Sequence, residues 1–483
     1  MKKQLESARD LPRRKNKWLI LLAVGLFTFM STLDGSIVNI AIPTMSKELS
    51  VDMNQVEWIV SIYLMIICIF ILLFGKLGDT IGKVKVFRLG TFIFIFGSFL
   101  CGISYSLTAL VLSRMVQALG ASMTMATNYG IITEQFPVQE RGKALGLMGS
   151  FVSLGSIAGP GIGGVIIGHF SWEYIFLINV PIGLITILLG FFILPKDQVY
   201  VENRKVDYLG FVLFGAFIFF LFGAIFVGQE IGFMKPLIKI LFVCSIITFI
   251  LLIIVEKRVQ QPLINIQIFA NRGFSLGLIC AVLVFTTSFF YNVLMPFYLQ
   301  KTLALTASSS GFLLMILPLV MVIVAPISGY LSDKVSSEIL TFIGLIILTC
   351  AQLFFVFIDQ TTHLGFFVLS AALMGAGVSL FQSPNNAIIM SSVQKHQLGI
   401  AGSMNSLARN VGMVIGVALA TTSLYSAMSY KAGYGIKTYI EHRPDLFIFG
   451  FHFAFIFAFF ICLLATVLTG YRILKRKQIV QKS

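Results

Sequence analysis

Residues 59–100 read IVSIYLMIICIFILLFGKLGDTIGKVKVFRLGTFIFIFGSFL, two apolar runs hinged on the charged, glycine-rich stretch GKLGDTIGK at 75–83. Each run comes close to the roughly 20 apolar residues that a helix needs to cross a bilayer. So short a connection makes the two helices antiparallel neighbours across a membrane. The same pattern continues along nearly the whole chain. Of its 483 residues 57% are hydrophobic, 11% are charged and 47 are Phe, and the mean hydropathy is +0.94. Soluble domains carry roughly a quarter charged residues, so a soluble globule is excluded. The fold class is all-α integral membrane.

Fourteen apolar runs, numbered here as spans 1 to 14, lie near 18–42, 57–77, 86–104, 107–131, 143–168, 172–194, 208–228, 236–255, 273–298, 309–332, 339–358, 364–390, 399–427 and 447–470. Trp18, Trp58 and Trp172 fall at span ends, where amphipathic rings prefer to sit. Lys and Arg concentrate in alternate loops, as in Lys83, Lys85 and Arg88, and in the tail RILKRK. That asymmetry predicts both termini in the cytoplasm. The net charge of +15 is then a topology signal, helped by anionic lipid headgroups, and needs no nucleic acid. The basic start MKKQLESARDLPRRKNKW leads into an apolar run without a small-residue cleavage site and reads as a retained first span. The six cysteines lie inside apolar spans without CxxC spacing. They read as packing residues, with neither a metal site nor a disulfide framework.

A repeat organises the spans. GYLSDKVSS at 329–337, after span 10, repeats the G-x-L-x-D core that follows span 2. Spans 1–6 and 9–14 thus read as equivalent halves with spans 7 and 8 inserted. The expected units are an N-terminal tail (1–17), a six-helix bundle (18–194), the inserted pair with its flanking loops (195–272), a second six-helix bundle (273–470) and a C-terminal tail (471–483). Parallel halves related by an axis along the membrane normal, with a substrate site between them, are a transporter architecture. The loops are short, and none could house a catalytic domain. The outer one, 428–446, is expected to fold over the outer mouth.

Five motifs then carry a family resemblance. They are LDGSIVNIAIP (33–43) in span 1, GKLGDTIGKVK (75–85) between spans 2 and 3, and LVLSRMVQALGAS (110–122) in span 4. GSIAGPGIGG (155–164) in span 5 and WEYIFLINVPIG (172–183) in span 6 complete the set. In this order the chain resembles the major facilitator superfamily, in its fourteen-span branch of drug:proton antiporters. The resemblance covers essentially the whole sequence. It implies a proton-driven, alternating-access exporter, monomeric, multi-pass in a bacterial cytoplasmic membrane and without cofactor. Its partners would be a small-molecule substrate, protons and membrane lipid.

Each motif also has a physical reading. Gly75, Gly78 and Gly82 permit a tight turn and close helix approach. Asp79 ends span 2 and can accept hydrogen bonds from a neighbouring helix N-terminus, whose dipole favours an anion. With Lys83 and the second-half copy Asp333, it is expected to latch the ends of the halves together. A solvated loop with topogenic lysines would leave the glycines and the second copy without a reason. Thr80 and Val84 stand where the family often has basic residues, which displaces that charge onto Lys83 and Lys85.

Arg114 lies inside an apolar span, where a charge costs several kcal/mol unless it is paired or hydrated. Asp34 falls at a similar depth on a helix running the opposite way and is its expected partner. The pair reads as the proton-coupling site, against a static structural ion pair. Gly155, Gly159 and Gly163 recur every four residues and share a face, which lets span 5 pack backbone-close. Pro160 can bend it, and Gly164 completes the motif. Such a seam could seal the pathway against a proton leak, which is the role the resemblance implies, or serve as plain packing. Asp34, Tyr63, Gln117, Asn292, Gln382, Asn386 and Asn405 are the expected substrate contacts. A helix break is expected around Pro384, and Arg409 is placed toward the cytoplasmic third.

With one buried acid and many aromatics, the expected cargo is an apolar monocation or neutral amphiphile, expelled as protons enter at Asp34. The alternative on the same fold is export or flipping of a lipid, glycolipid or peptide. An enzyme is set aside: the five His scatter over span ends and loops, and no P-loop occurs.

Overall fold

The structure is a computed structural model. It describes residues 17–51, 53–197, 207–260, 262–436, 439–440 and 443–480. Fourteen helices are long and apolar enough to span a membrane. They are span 1 (Lys17–Glu48), span 2 (Gln55–Ile81), span 3 (Lys83–Gly102), span 4 (Leu107–Gln135), span 5 (Val138–His169), span 6 (Tyr174–Ile193) and span 7 (Tyr208–Ile231). Span 8 (Pro236–Glu256), span 9 (Arg272–Thr302), span 10 (Ser309–Lys334), span 11 (Ser337–Val356), span 12 (Leu364–Ser391), span 13 (Lys395–Ala432) and span 14 (Pro444–Leu474) follow. Only a helix can satisfy its own backbone in hydrocarbon without closing a barrel, so the apolar runs become helices almost end to end. Phe92, Phe96 and Phe99 on span 3, and Ile240, Val243 and Ile247 on span 8, stay exposed. Rows of bare apolar side chains on one face are what a lipid-facing helix presents.

Spans 1–6 and 9–14 pack as two halves, and spans 7 and 8 pair with each other through Phe217 and Phe249, ring centroids 5.0 Å apart. The pair leans on span 2, where Phe211 meets Phe70 at 5.3 Å. One expectation about helix shape is revised. Span 12 runs unbroken through Pro384. It is braced there by span 11, whose Gly344 lies against the backbone of Leu380 and Phe381. The interruptions fall elsewhere: span 6 breaks at Ile178 and span 10 at Met315. Four residues of the outer loop (437, 438, 441 and 442) lie outside the described ones. Its Tyr439 hydroxyl donates to the Lys301 carbonyl at 3.2 Å, which ties the loop to the end of span 9.

Candidate functional site

At the end of the bundle where span 1 begins, two carboxylates cross between the halves. Asp79, closing span 2, accepts from the N–H groups of Gly399 (2.8 Å) and Ile400 (2.9 Å) in the first turn of span 13. Asp333, closing span 10, accepts from Gly142 and Lys143 in the first turn of span 5, both at 2.8 Å. Helix N-termini leave N–H groups unpaired and carry partial positive charge, so each carboxylate caps a helix of the opposite half. Glycine makes the approach close enough. A Cβ on Gly75 would stand 2.9 Å from the Gly399 carbonyl oxygen, and one on Gly329 would stand 2.2 Å from that of Gly142.

Lys83 reinforces only the first of these contacts. Its ammonium donates to Asp79 (2.9 Å) and Glu134 (2.8 Å) and is 3% exposed. Gly82 (φ +118°) supplies the left-handed turn that swings Lys83 back over Asp79. Sequence reasoning missed Glu134 and also Asp197, which caps span 3 through the N–H groups of Val84 (2.7 Å) and Lys85 (3.0 Å).

A second cluster lies deep in the first half. Arg114 Nη1 meets Asp34 Oδ2 at 2.8 Å, with both side chains at most 1% exposed. The other Asp34 oxygen accepts from the amides of Gln117 (2.9 Å) and Asn179 (2.7 Å). Gln117 also bonds Ser98 (2.7 Å), its carbonyl oxygen takes a second Arg114 N–H, and the guanidinium covers the Tyr63 ring at 4.1 Å. Side chains of spans 1, 2, 3, 4 and 6 thus form one cluster around this carboxylate. Asn179 sits just past the interruption in span 6; an Asn inside an apolar run was the available signal for it.

The span 5 glycines pack on span 1. A Cβ on Gly155 would lie 2.6 Å from the Phe29 carbonyl oxygen, one on Gly159 would lie 2.6 Å from Ser36 Cβ, and one on Gly163 would lie 2.8 Å from Ile37. Gly164 is not part of this seam: nothing lies within 4 Å of its Cβ position. It sits on the exposed side of the helix. The Pro160 side chain lies outside the described residues. The second half repeats the contact where no motif had pointed, with Gly412 and Gly416 of span 13 against span 9.

Between the halves lies a narrow cavity. Phe27, Ser31 and Thr32 of span 1, Asn128 and Tyr129 of span 4, and Phe285 of span 9 face Gln382 and Asn386 of span 12 and Asn405 and Arg409 of span 13. The expectation for Gln382, Asn386 and Asn405 therefore places them together. Asp34, Tyr63 and Gln117 are not among the lining residues, because they are consumed by the buried cluster one turn beyond Ser31. Asn292 also stands apart, exposed and donating to the Ser288 carbonyl at 3.3 Å. Arg409, the twelfth of the 35 residues of the helix Leu398–Ala432, faces this cavity, a role that the sequence had not assigned to it. It reaches the cavity, stacks over Phe285 at 5.3 Å and pairs with the Tyr129 hydroxyl, which also takes Asn386. Asn405 Nδ2 donates to Asn386 Oδ1 at 2.9 Å.

Comparison with known proteins agrees with this architecture. Residues 24–417 and 277–482 match the family described as Major Facilitator Superfamily. The riboflavin transporter RibZ of Clostridioides difficile (strain 630) is 36% identical over 417 residues, covering 86% of this chain and 90% of that protein. The multidrug export protein EmrB of Haemophilus influenzae (strain ATCC 51907 / DSM 11121 / KW20 / Rd) is 31% identical over 425 residues, covering 87% and 83%. Among solved structures, the human organic anion transporter MFSD10 superposes with a TM-score of 0.64 over 95% of this chain and 99% of that one. At 14% identity, that last likeness is one of fold.

Proposed function

The chain belongs to the major facilitator superfamily, and from that premise we propose that it is a proton-coupled exporter of amphipathic small molecules working by alternating access. It is a membrane transporter of small-molecule substrates; the coupling ion and the direction are the proposed part. The observation that carries the proposal is the Asp34–Arg114 pair, fully buried in the half that holds it. A proton on Asp34 would remove one charge and leave Arg114 unpaired in a dry interior, a loss on the order of 3–5 kcal/mol. The protonated and unprotonated forms therefore favour different arrangements of spans 1, 3, 4 and 6, which ties proton binding to conformation. Span 1 carries that change to the cavity, since Ser31 lines it and Asp34 follows one turn later.

The two six-helix halves would rock about the cavity, with Asp79 and Asp333 as latches at one end. We place that end in the cytoplasm of a bacterial cell, together with both termini, because the basic loops gather there. A second reading concerns cargo. The Clostridioides difficile relative is described as a riboflavin transporter, and the ring of amides here suits a hydrogen-bonding heterocycle.

The test is transport by purified protein in liposomes under an imposed pH gradient, with riboflavin and a panel of amphipathic dyes as cargo. Uphill movement that collapses when a protonophore dissipates the gradient is expected. Movement indifferent to the gradient would remove proton coupling from the reading.

A further inference from the structure

We infer that the central cavity selects amphipathic organic anions over cations of the same size, with Arg409 as the counter-ion of the ligand. This rests on the cavity being the substrate site, as proposed above, and narrows what that site takes.

The charge inventory of the cavity is one-sided. Among the described residues that line it, the one ionisable cation is Arg409, and the other polar groups are neutral, chiefly Asn128, Tyr129, Gln382, Asn386 and Asn405. Among the described residues no carboxylate lies within ion-pair distance of Arg409. The acid that could have served a cation, Asp34, is sealed from the cavity with Arg114, Gln117 and Asn179 on its two oxygens. Arg409 differs from Arg114 in this respect. Both stand in membrane helices, yet Arg114 has its carboxylate and Arg409 has only the Tyr129 hydroxyl and the Phe285 face.

A guanidinium held at membrane depth without an anion is costly, and such residues mark ligand paths. A ligand that brings a carboxylate satisfies it, through the two-pronged geometry that guanidinium offers. Phe27 and Phe285 then take the apolar body, and the amides of Asn386 and Asn405 fix its orientation. A cation entering the same space meets a like charge in low dielectric and finds no acid.

Fluorescein and rhodamine 123 share a xanthene core and differ in charge sign, so their binding to the purified full-length protein in detergent, read by fluorescence anisotropy, tests this directly. Fluorescein should bind at least about tenfold tighter than rhodamine 123, the scale of a desolvated charge pair. Arg409→Gln should erase that preference, weakening fluorescein and relieving the repulsion on rhodamine 123, and Arg409→Lys should restore part of it; a monodisperse elution profile for each variant guards against misfolding. Equal or tighter binding of rhodamine 123, no binding of fluorescein, or fluorescein binding unchanged in Arg409→Gln would overturn the inference. Proton coupling is read separately. Binding that depends on Arg409 beside transport that ignores a pH gradient would leave this inference standing and the coupling reading lost.

Discussion

Asp79 and Asp333 make the same contact from opposite halves: each carboxylate spans two consecutive backbone N–H groups at the first turn of a helix in the other half. Charge-assisted bonds of this kind contribute about 1.5–3 kcal/mol each. They exist only while the halves touch at that end. On the alternating-access reading proposed above, the pair would then bias the conformational equilibrium rather than the stability of either half.

Asp79→Asn keeps the shape but puts an NH₂ group against one of the two N–H donors. Loss of about 2 kcal/mol would shift the population roughly 30-fold away from the form closed at the latch. The expected outcome is a folded, monodisperse variant with transport reduced at least about tenfold, and with a cysteine at Ser403 newly reactive to thiol reagents. Asp333→Asn should do the same on its own side, with a cysteine at Gly329's neighbour Ser332 as reporter. Wild-type reactivity and transport in both variants would make the contacts ornamental.

Lys83 sits between Asp79 and Glu134 with almost no solvent. Lys83→Met leaves two carboxylates facing each other and should lower stability by about 3 kcal/mol, the usual result of breaking a buried pair from one side. Adding Glu134→Gln removes one of the stranded charges and should recover a good part of that loss in a thermal unfolding assay. If the double variant were no more stable than the single, the three groups would not be one network.

The seam between spans 1 and 5 gives a graded series. Gly155→Ala and Gly412→Ala each push a methyl into a carbonyl oxygen about as close as 2.6 Å in the structure. Overpacking of that size typically costs 1–3 kcal/mol. Gly164→Ala meets nothing and should be silent. If span 5 seals a proton path, only Gly155→Ala should raise passive proton leak into liposomes. Equal leak from both variants would make the glycines a packing device repeated in each half.

Much of this was legible beforehand, for reasons that differ by residue. The spans follow from length and hydropathy, because a bilayer allows only satisfied backbones. The contacts of Asp79 and Asp333 with the opposite half were legible because a G-x-L-x-D core recurs after equivalent spans. The Asp34–Arg114 pair was legible because two lone charges at one depth in antiparallel helices have few other partners. What faced the cavity was not legible. Depth follows from counting residues, but which side of a helix meets the opposite half depends on its rotation, and no motif records that. Hence Tyr63 and Gln117 fell inside the first half rather than in the cavity, while Asn128, Tyr129 and Arg409 entered it unannounced. Gly412 and Gly416 were missed because the repeat was traced through the loops and not through the glycines.

The last prediction concerns Asp34. It is sealed from the cavity, so its variants separate coupling from binding. Asp34→Asn removes the charge as protonation does: the remaining oxygen can still accept from Gln117 and Asn179, while the new NH₂ faces the Arg114 donor. Arg114 then stands unpaired, so some loss of stability is expected, and Asp34→Asn with Arg114→Gln serves as the neutral control that removes both charges together. Ligand should still bind in either variant, because no cavity contact changes, but its affinity should lose the dependence on pH that wild type shows, since proton and ligand binding are reciprocally linked. Accumulation driven by a pH gradient should vanish in both, while downhill exchange of cargo persists. Asp34→Glu keeps the charge one methylene away and should retain partial coupling. A proton-release measurement on ligand addition completes the test: wild type should release protons and the two neutral variants should not. Gradient-driven accumulation at wild-type rates in the double variant would make the Asp34–Arg114 pair a structural ion pair and move coupling to another group.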